Sequence, residues 1–335
     1  MFKLKNIFPG IIISFVLAII STWLGANFPI IGAPIFGITL GILLNNTFGN
    51  PKNSDAGIKF TSKKILQWAI IVLGSGLSLK QVYTTGLNSF SIMISTLTTA
   101  FIAAYVFGRL LGVKDNLKTL IGVGTAICGG SAIAAISPII EADETEIAYS
   151  ISTIFLFNII AVLIFPPIGH FIGFSDKAFG LWAGTAINDT SSVVAAGYTF
   201  SNAAGTYATI VKLTRTTMII PISLIYSFIM LNKKRKNSSS QNKVNFSLKK
   251  IFPWFILGFL LTSLMNTLGI FNGSIINYLS QLGKFMIVMA LSAIGLSTDL
   301  KKMLKTGVKP VILGLIVWFT VAIVSILMQY FVGLF

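Results

Sequence analysis

The run Gly184-Thr185-Ala186-Ile187-Asn188-Asp189-Thr190-Ser191-Ser192 places five consecutive polar residues in the middle of an apolar block extending from about residue 178 to 200. A helix of that length matches the roughly 30 Å hydrocarbon core of a bilayer. Inside lipid a backbone has no water to bond, so a spanning segment is a helix or a strand of a closed barrel. Asn, Asp, Thr and Ser are poor residues for a helix interior but good caps for a new one. The block therefore predicts a membrane helix interrupted near its centre.

Working outward, ten further apolar blocks lie near 7–25, 30–48, 65–80, 88–111, 119–140, 147–172, 207–231, 250–270, 282–298 and 310–335. They lack the period-two alternation of barrel strands, so they read as helices. Of the 335 residues 54% are hydrophobic and 10% are charged, against roughly 25% charged in soluble proteins. The mean hydropathy is +0.86. The fold class is an all-α membrane protein of about eleven spans in a single domain over residues 1–335. The segment about 232–248, with Lys233-Lys234-Arg235-Lys236 and Ser238-Ser239-Ser240, reads as a flexible cytoplasmic linker. The first block is too long for a signal-peptide core and lacks a clear small-x-small cleavage site, so it reads as an uncleaved span.

The net charge of +16 does not point to nucleic acid, because the cations sit in short loops between apolar blocks. With the N-terminus in the cytoplasm and every block crossing once, most of the 25 basic residues fall inside. This places the C-terminus, and the acidic loop Glu141-Ala142-Asp143-Glu144-Thr145-Glu146, outside, with Lys177 inside. The chain is thereby read as a multi-pass membrane protein in contact with lipid. One cysteine, Cys128, and one histidine, His170, allow neither an intrachain disulfide nor a Cys/His metal cluster. No cofactor or metal signature and no nucleophile–base pair is apparent, so an enzyme is not expected.

A second interrupted block carries Gly124-Thr125-Ala126-Ile127-Cys128-Gly129-Gly130-Ser131, in which adjacent glycines disfavour a continuous helix. A half-helix starting near Ser131 would offer free N–H groups and a partial positive charge to an anion. Gly124–Ile127 recurs as Gly184–Ile187, and Ser131 and Ala135 match Ser191 and Ala195. Two broken spans in one bundle, with inverted repeats, make a transporter plan. Asp189 is the only acidic residue placed deep in the membrane, where a carboxyl faces a partner or a cavity. Lys212 and Arg215 share a helical face. If the chain turns near Ala203, Asp189 and Arg215 reach depths that agree within about 3 Å. An Asp189–Arg215 pair is expected, with one cation left to recognise an anion. The expected substrate-binding set is Lys212, Arg215, Gly129, Gly130, Ser131, Asn188, Thr190 and Ser191. Asp189 is the candidate for proton or ion coupling. Asn158 and Ser297 are candidates for lining the pathway. Snorkelling cations and close helix packing through small residues are the structural alternatives to this site.

The segments 125–135, 184–197 (with Asn188-Asp189-Thr190-Ser191) and Val211-Lys212-Leu213-Thr214-Arg215 together resemble the YeiH-like family of bacterial inner-membrane proteins labelled sulfate exporters. The likeness covers essentially the whole chain, including Ala293–Asp299. It implies ten to eleven spans and a fold akin to cation/proton antiporters and bile-acid symporters. By that analogy span five would cross a second unwound helix at span ten, around Gly295, whereas the polar residues themselves point to span seven. The implied activity is export or exchange of a small anion, sulfate or sulfonate-like, with a proton as coupling ion. Sodium- or proton-coupled carboxylate transport, an anion channel and a membrane sensor are the rivals. A homodimer is left open.

Overall fold

The computed structural model describes residues 4–28, 32–51, 53–236, 254–299 and 307–334, and most of the 232–248 linker lies outside this set. The described residues fold into helices and connecting turns, with no strand among them. In order they are α1 (Leu4–Asn27), α2 (Ala33–Thr47), α3 (Asp55–Phe60) and α4 (Leu66–Leu73), the last two joined by a π turn at Thr61–Ile65. Then come α5 (Leu79–Leu110), α6 (Asp115–Ala126), α7 (Gly130–Ile136), α8 (Glu144–Ile172), α9 (Asp176–Ala186) and α10 (Thr190–Phe200). The chain finishes with α11 (Asn202–Thr217), α12 (Ile219–Lys236), α13 (Phe255–Thr267), α14 (Gly273–Ser297) and α15 (Val308–Phe331). Six helical stretches are long and apolar enough to cross a membrane: Ile7–Asn27, Leu79–Leu110, Glu144–Ile172, Asn202–Asn232, Gly273–Ser297 and Val308–Phe331. The outer faces of these helices carry large exposed side chains such as Phe15, Trp23, Phe90, Ile102, Phe228 and Phe319. Surfaces of that kind suit lipid rather than water. This is a multi-pass membrane protein.

The helices sort into two packed units. One contains α1–α4 with α13 and α14, and the other contains α5–α12 with α15. In the first, α2 and α14 lie side by side, with Gly41 against Gly295. A Cβ on either glycine would collide with the backbone of the other helix, so the contact depends on both being Gly. The Asn45 and Asn46 side chains then donate to the Thr298 carbonyl, each at 2.9 Å, and fasten the ends of these helices. The units meet where α8 and α10 rest on α2, α4 and α14, through Ile159, Val162, Val194 and Ala195 against Ile38, Ala69, Leu73, Ile287 and Leu291.

The ends of the second unit revise the expected topology. Asn116, at the start of α6, donates to the Glu146 carboxylate at the start of α8, at 3.2 Å. The stretch 115–136 therefore returns to the end of the bundle from which it entered. Residues 176–200 do the same from the opposite end. There Ser201 donates to Asp176 at 2.6 Å, and Phe179 stacks on Phe200 with ring centroids 4.0 Å apart. The predicted spans five and seven are thus helical hairpins, α6–α7 and α9–α10, that dip in and turn back. The acidic loop 141–146 lies at the same end as Lys114 and Lys309, with which Glu146 lines one pocket, and not opposite them as expected. Lys177 lies at the other end, beside Asp176 and Ser201. Each hairpin has enough apolar residues for a span, so length alone could not tell a crossing from a return.

The expected break in span ten is also corrected. Helix α14 runs without interruption through Gly295 to Ser297, and Gly295 serves the contact with α2.

Candidate functional site at the meeting of two hairpin tips

Each hairpin turns on three residues, and the two turns are built differently. In the first, α6 ends at Ala126, and Ile127 (φ −116°, ψ −89°) leads through Cys128 to Gly129. Gly129 has φ +68° and ψ −128°, a conformation that an L side chain rarely adopts. In the second, α9 ends at Ala186, and Ile187 and Asp189 are both extended. Asp189 caps α10: its carboxylate accepts from the Ser191 N–H at 3.0 Å and from the Ser191 hydroxyl. A Cβ placed on Gly129 would sit 3.4 Å from the Asp189 Cβ, so the tips touch.

Helix α11 passes beside both tips and presents its two cations to them. Lys212 Nζ donates to the carbonyl of Ile127 at 2.8 Å and to that of Ile187 at 2.9 Å. Arg215 donates through Nε to the Ala126 carbonyl at 2.5 Å and through Nη2 to the Thr125 carbonyl at 3.2 Å. Both cations have 0% of their surface exposed. They sit on the carbonyl ends of α6 and α9, where the helix dipole favours positive charge. Asn158, from α8, accepts the Asp189 N–H at 3.2 Å.

The expected Asp189–Arg215 ion pair does not form: among the described residues, Asp189 has neither Arg215 nor Lys212 within 4.0 Å. Two hydrogen-bonded preferences win over it. The carboxylate is held by the first turn of its own helix, and the guanidinium by the unsatisfied carbonyls of α6. The snorkelling alternative is also excluded by burial, since neither cation reaches a surface.

Of the residues singled out from the sequence, the structure brings Gly129, Asn158, Asn188, Asp189, Ser191, Lys212 and Arg215 together at the tips. Thr190 is buried in the first turn of α10. Gly130 and Ser131 open α7, and Ser131 is exposed together with Ala134 on that short helix and Pro138 in the turn after it. Ser297 stands apart, exposed at the end of α14 and bonded to Ala293 in its own last turn. The centre also leaves several buried polar atoms without a protein partner. These are Arg215 Nη1, Thr125 Oγ1, Asn158 Nδ2 and both side-chain polar atoms of Asn188. Such orphans are rare in membrane interiors unless something else bonds them.

Thr125 and the carbonyls of Ile127 and Ile187 were not among the expected site groups. The signal for them was present in the repeated Gly-Thr-Ala-Ile: its two copies end at the two carbonyls that Lys212 takes.

A bundle of lipid-facing helices enclosing two hairpin tips, two cations and one carboxylate defines an integral membrane protein with an ionic centre. Residues 9–314 match the model of the family described as Conserved hypothetical protein 698. The chain is 45% identical to a UPF0324 membrane protein of Fusobacterium nucleatum, over 99% of this chain and 100% of that one. It is 45% identical to a UPF0324 membrane protein of Clostridium tetani (99% of each) and 47% identical to one of Streptococcus agalactiae (98% of each). The chain belongs to this family, the YeiH-like UPF0324 membrane proteins, as its Asn-Asp-Thr-Ser and Lys-Leu-Thr-Arg segments indicated.

Proposed function

We propose that the protein is a secondary transporter of a small anion, whose binding centre is the place where the two hairpin tips meet. The observation that carries this reading is the charge at that place: Lys212 and Arg215 stand against the single carboxylate of Asp189, all within the apolar bundle. An excess positive charge in a low-dielectric site favours an anion. Donor groups without partners, on Arg215, Asn158 and Asn188, are available to hold oxyanion oxygens. Hairpins that enter from opposite ends and touch at the centre also supply two barriers around one site, which alternating access requires.

In this reading the membrane is crossed by α1, α2, α3–α4, α5, α8, α11–α12, α13, α14 and α15, while α6–α7 and α9–α10 re-enter. Hairpin α6–α7 with α8 and hairpin α9–α10 with α11–α12 form an inverted pair. Lys59, Arg109, Lys114, Lys118 and Lys309 mark one end, against Lys80, Lys177 and Lys284 at the other. The positive-inside rule places the first end in the cytoplasm. Removing two crossings from eleven keeps the parity, so the N-terminus is inside and the C-terminus outside. Sulfate and sulfonates fit the tetrahedral oxyanion class; an organic carboxylate is the competing substrate.

The test is radiolabelled sulfate flux into proteoliposomes, with and without a pH gradient, followed by competition from a panel of sulfonates and carboxylates. The expected result is saturable flux that Arg215→Ala lowers at least tenfold, a loss of about 1.4 kcal/mol or more. Asp189→Asn is expected to change its dependence on the pH gradient. Folded wild-type protein that moves no anion of the panel under either gradient would refute the reading.

A further inference from the structure

The Lys212 ammonium is surrounded as a coordinated metal ion is, rather than as a salt-bridged side chain. It is completely buried, no carboxylate among the described residues lies within 4.0 Å of it, and its hydrogen-bond partners are two main-chain carbonyls. One carbonyl comes from each hairpin, and each follows the last turn of a half-helix aimed at the centre. Transporters that bind a free alkali cation hold it in the same way, with carbonyls of unwound segments and half-helix C-termini. Here the cation arrives on a side chain from α11, the helix that follows the second hairpin. The charged and titratable groups facing it are Arg215 on its own helix, Cys128 on the first tip and Asp189 on the second. Arg215 is turned away onto the carbonyls of Thr125 and Ala126, which leaves Ile127 and Ile187 to Lys212 alone.

We propose that Lys212 is a built-in monovalent cation. Its tethered ammonium fills a carbonyl site shared by the two hairpin tips, so the tips dock without a free alkali ion. Shortening the side chain turns the same place into a binding site for a free cation of ammonium size. Without a positive charge between them, the Ile127 and Ile187 carbonyls face each other with their negative ends, and the tips separate. With one, each carbonyl is satisfied. Lys212 is thus a positioning residue: it sets the distance between the two barriers. The inference uses only the geometry of the tips. It can hold if the anion reading fails, and it can fail if that reading holds.

The experiment measures the melting temperature of purified wild type, Lys212→Ala and Lys212→Met in choline, sodium, ammonium and methylammonium chlorides at equal ionic strength. The wild type is expected to melt alike in all four. Both variants should melt lower in choline. Ammonium and methylammonium should restore most of the loss to Lys212→Ala, in a saturating, concentration-dependent way, because a ligand of the native state stabilises by mass action. Lys212→Met should not respond, since its thioether fills the space without a charge. A Lys212→Ala protein that melts alike in every salt would overturn the proposal. So would an equal rise in all three proteins, or a Lys212→Ala protein that is unfolded in every salt.

Discussion

The two hairpins solve one problem with different chemistry. Both must stop a helix in mid-membrane, reverse within three residues and start another. The first does so through the backbone: Gly129 takes a positive φ, and no side chain caps α7. The second does so through a side chain: Asp189 stays in an ordinary extended conformation and its carboxylate satisfies the start of α10. The second tip spends its charge on its own helix, while the first has no side chain at its start and sets a bare Cα against its neighbour. The cations from α11 treat the tips alike, because both end in carbonyls that need a donor.

The largest expected effect concerns the ends of the hairpins rather than the tips. In a background with Cys128→Ser, Glu144→Cys should react with an impermeant maleimide only from the cytoplasmic face, and Lys177→Cys only from the outer face. Two crossing spans in place of the hairpins would reverse both results, so labelling of intact cells against inverted vesicles decides between them.

At the tips, Gly129→Ala is expected to destabilise by about 1–3 kcal/mol, from the strain of placing an L side chain at φ +68°. Thermal unfolding in detergent would measure it. A loss below a few tenths would mean that the first tip relaxes and is not fixed by its glycine. Asp189→Ala should cost about 1 kcal/mol, the usual value of a lost N-cap, while Asp189→Asn should recover part of it. If Asn recovers nothing, the carboxylate charge contributes more than the cap. The double variant Gly129→Ala/Asp189→Ala sharpens the comparison: touching residues depart from additivity by about 0.5–3 kcal/mol. Additive losses would separate the two tips energetically.

Much of the molecule was legible in the sequence because lipid imposes simple rules. Apolar blocks without alternation can only be helices, and clusters such as Cys128-Gly129-Gly130 and Asn188-Asp189 cannot continue one. The three-residue spacing of Lys212 and Arg215 put both on one face, and the turn near Ala203 brought Arg215 level with Asp189, with Lys212 one turn nearer the outside. The repeated Gly-Thr-Ala-Ile is visible in the sequence as an internal similarity, but not as the mark of the two carbonyl ends. Three matters were decided only by tertiary structure. Whether a broken block crosses or returns depends on which neighbour its second half packs against, as Asn116 with Glu146 and Phe179 with Phe200 show. Which group satisfies Arg215 depends on a competition between a carboxylate and free carbonyls at similar depth. Continuity of α14 at Gly295 depends on the close approach of α2. Hydrophobicity and helix propensity are local properties and can be read along the chain. Direction of return and choice of hydrogen-bond partner are set by groups far apart in sequence, and no local pattern contains them.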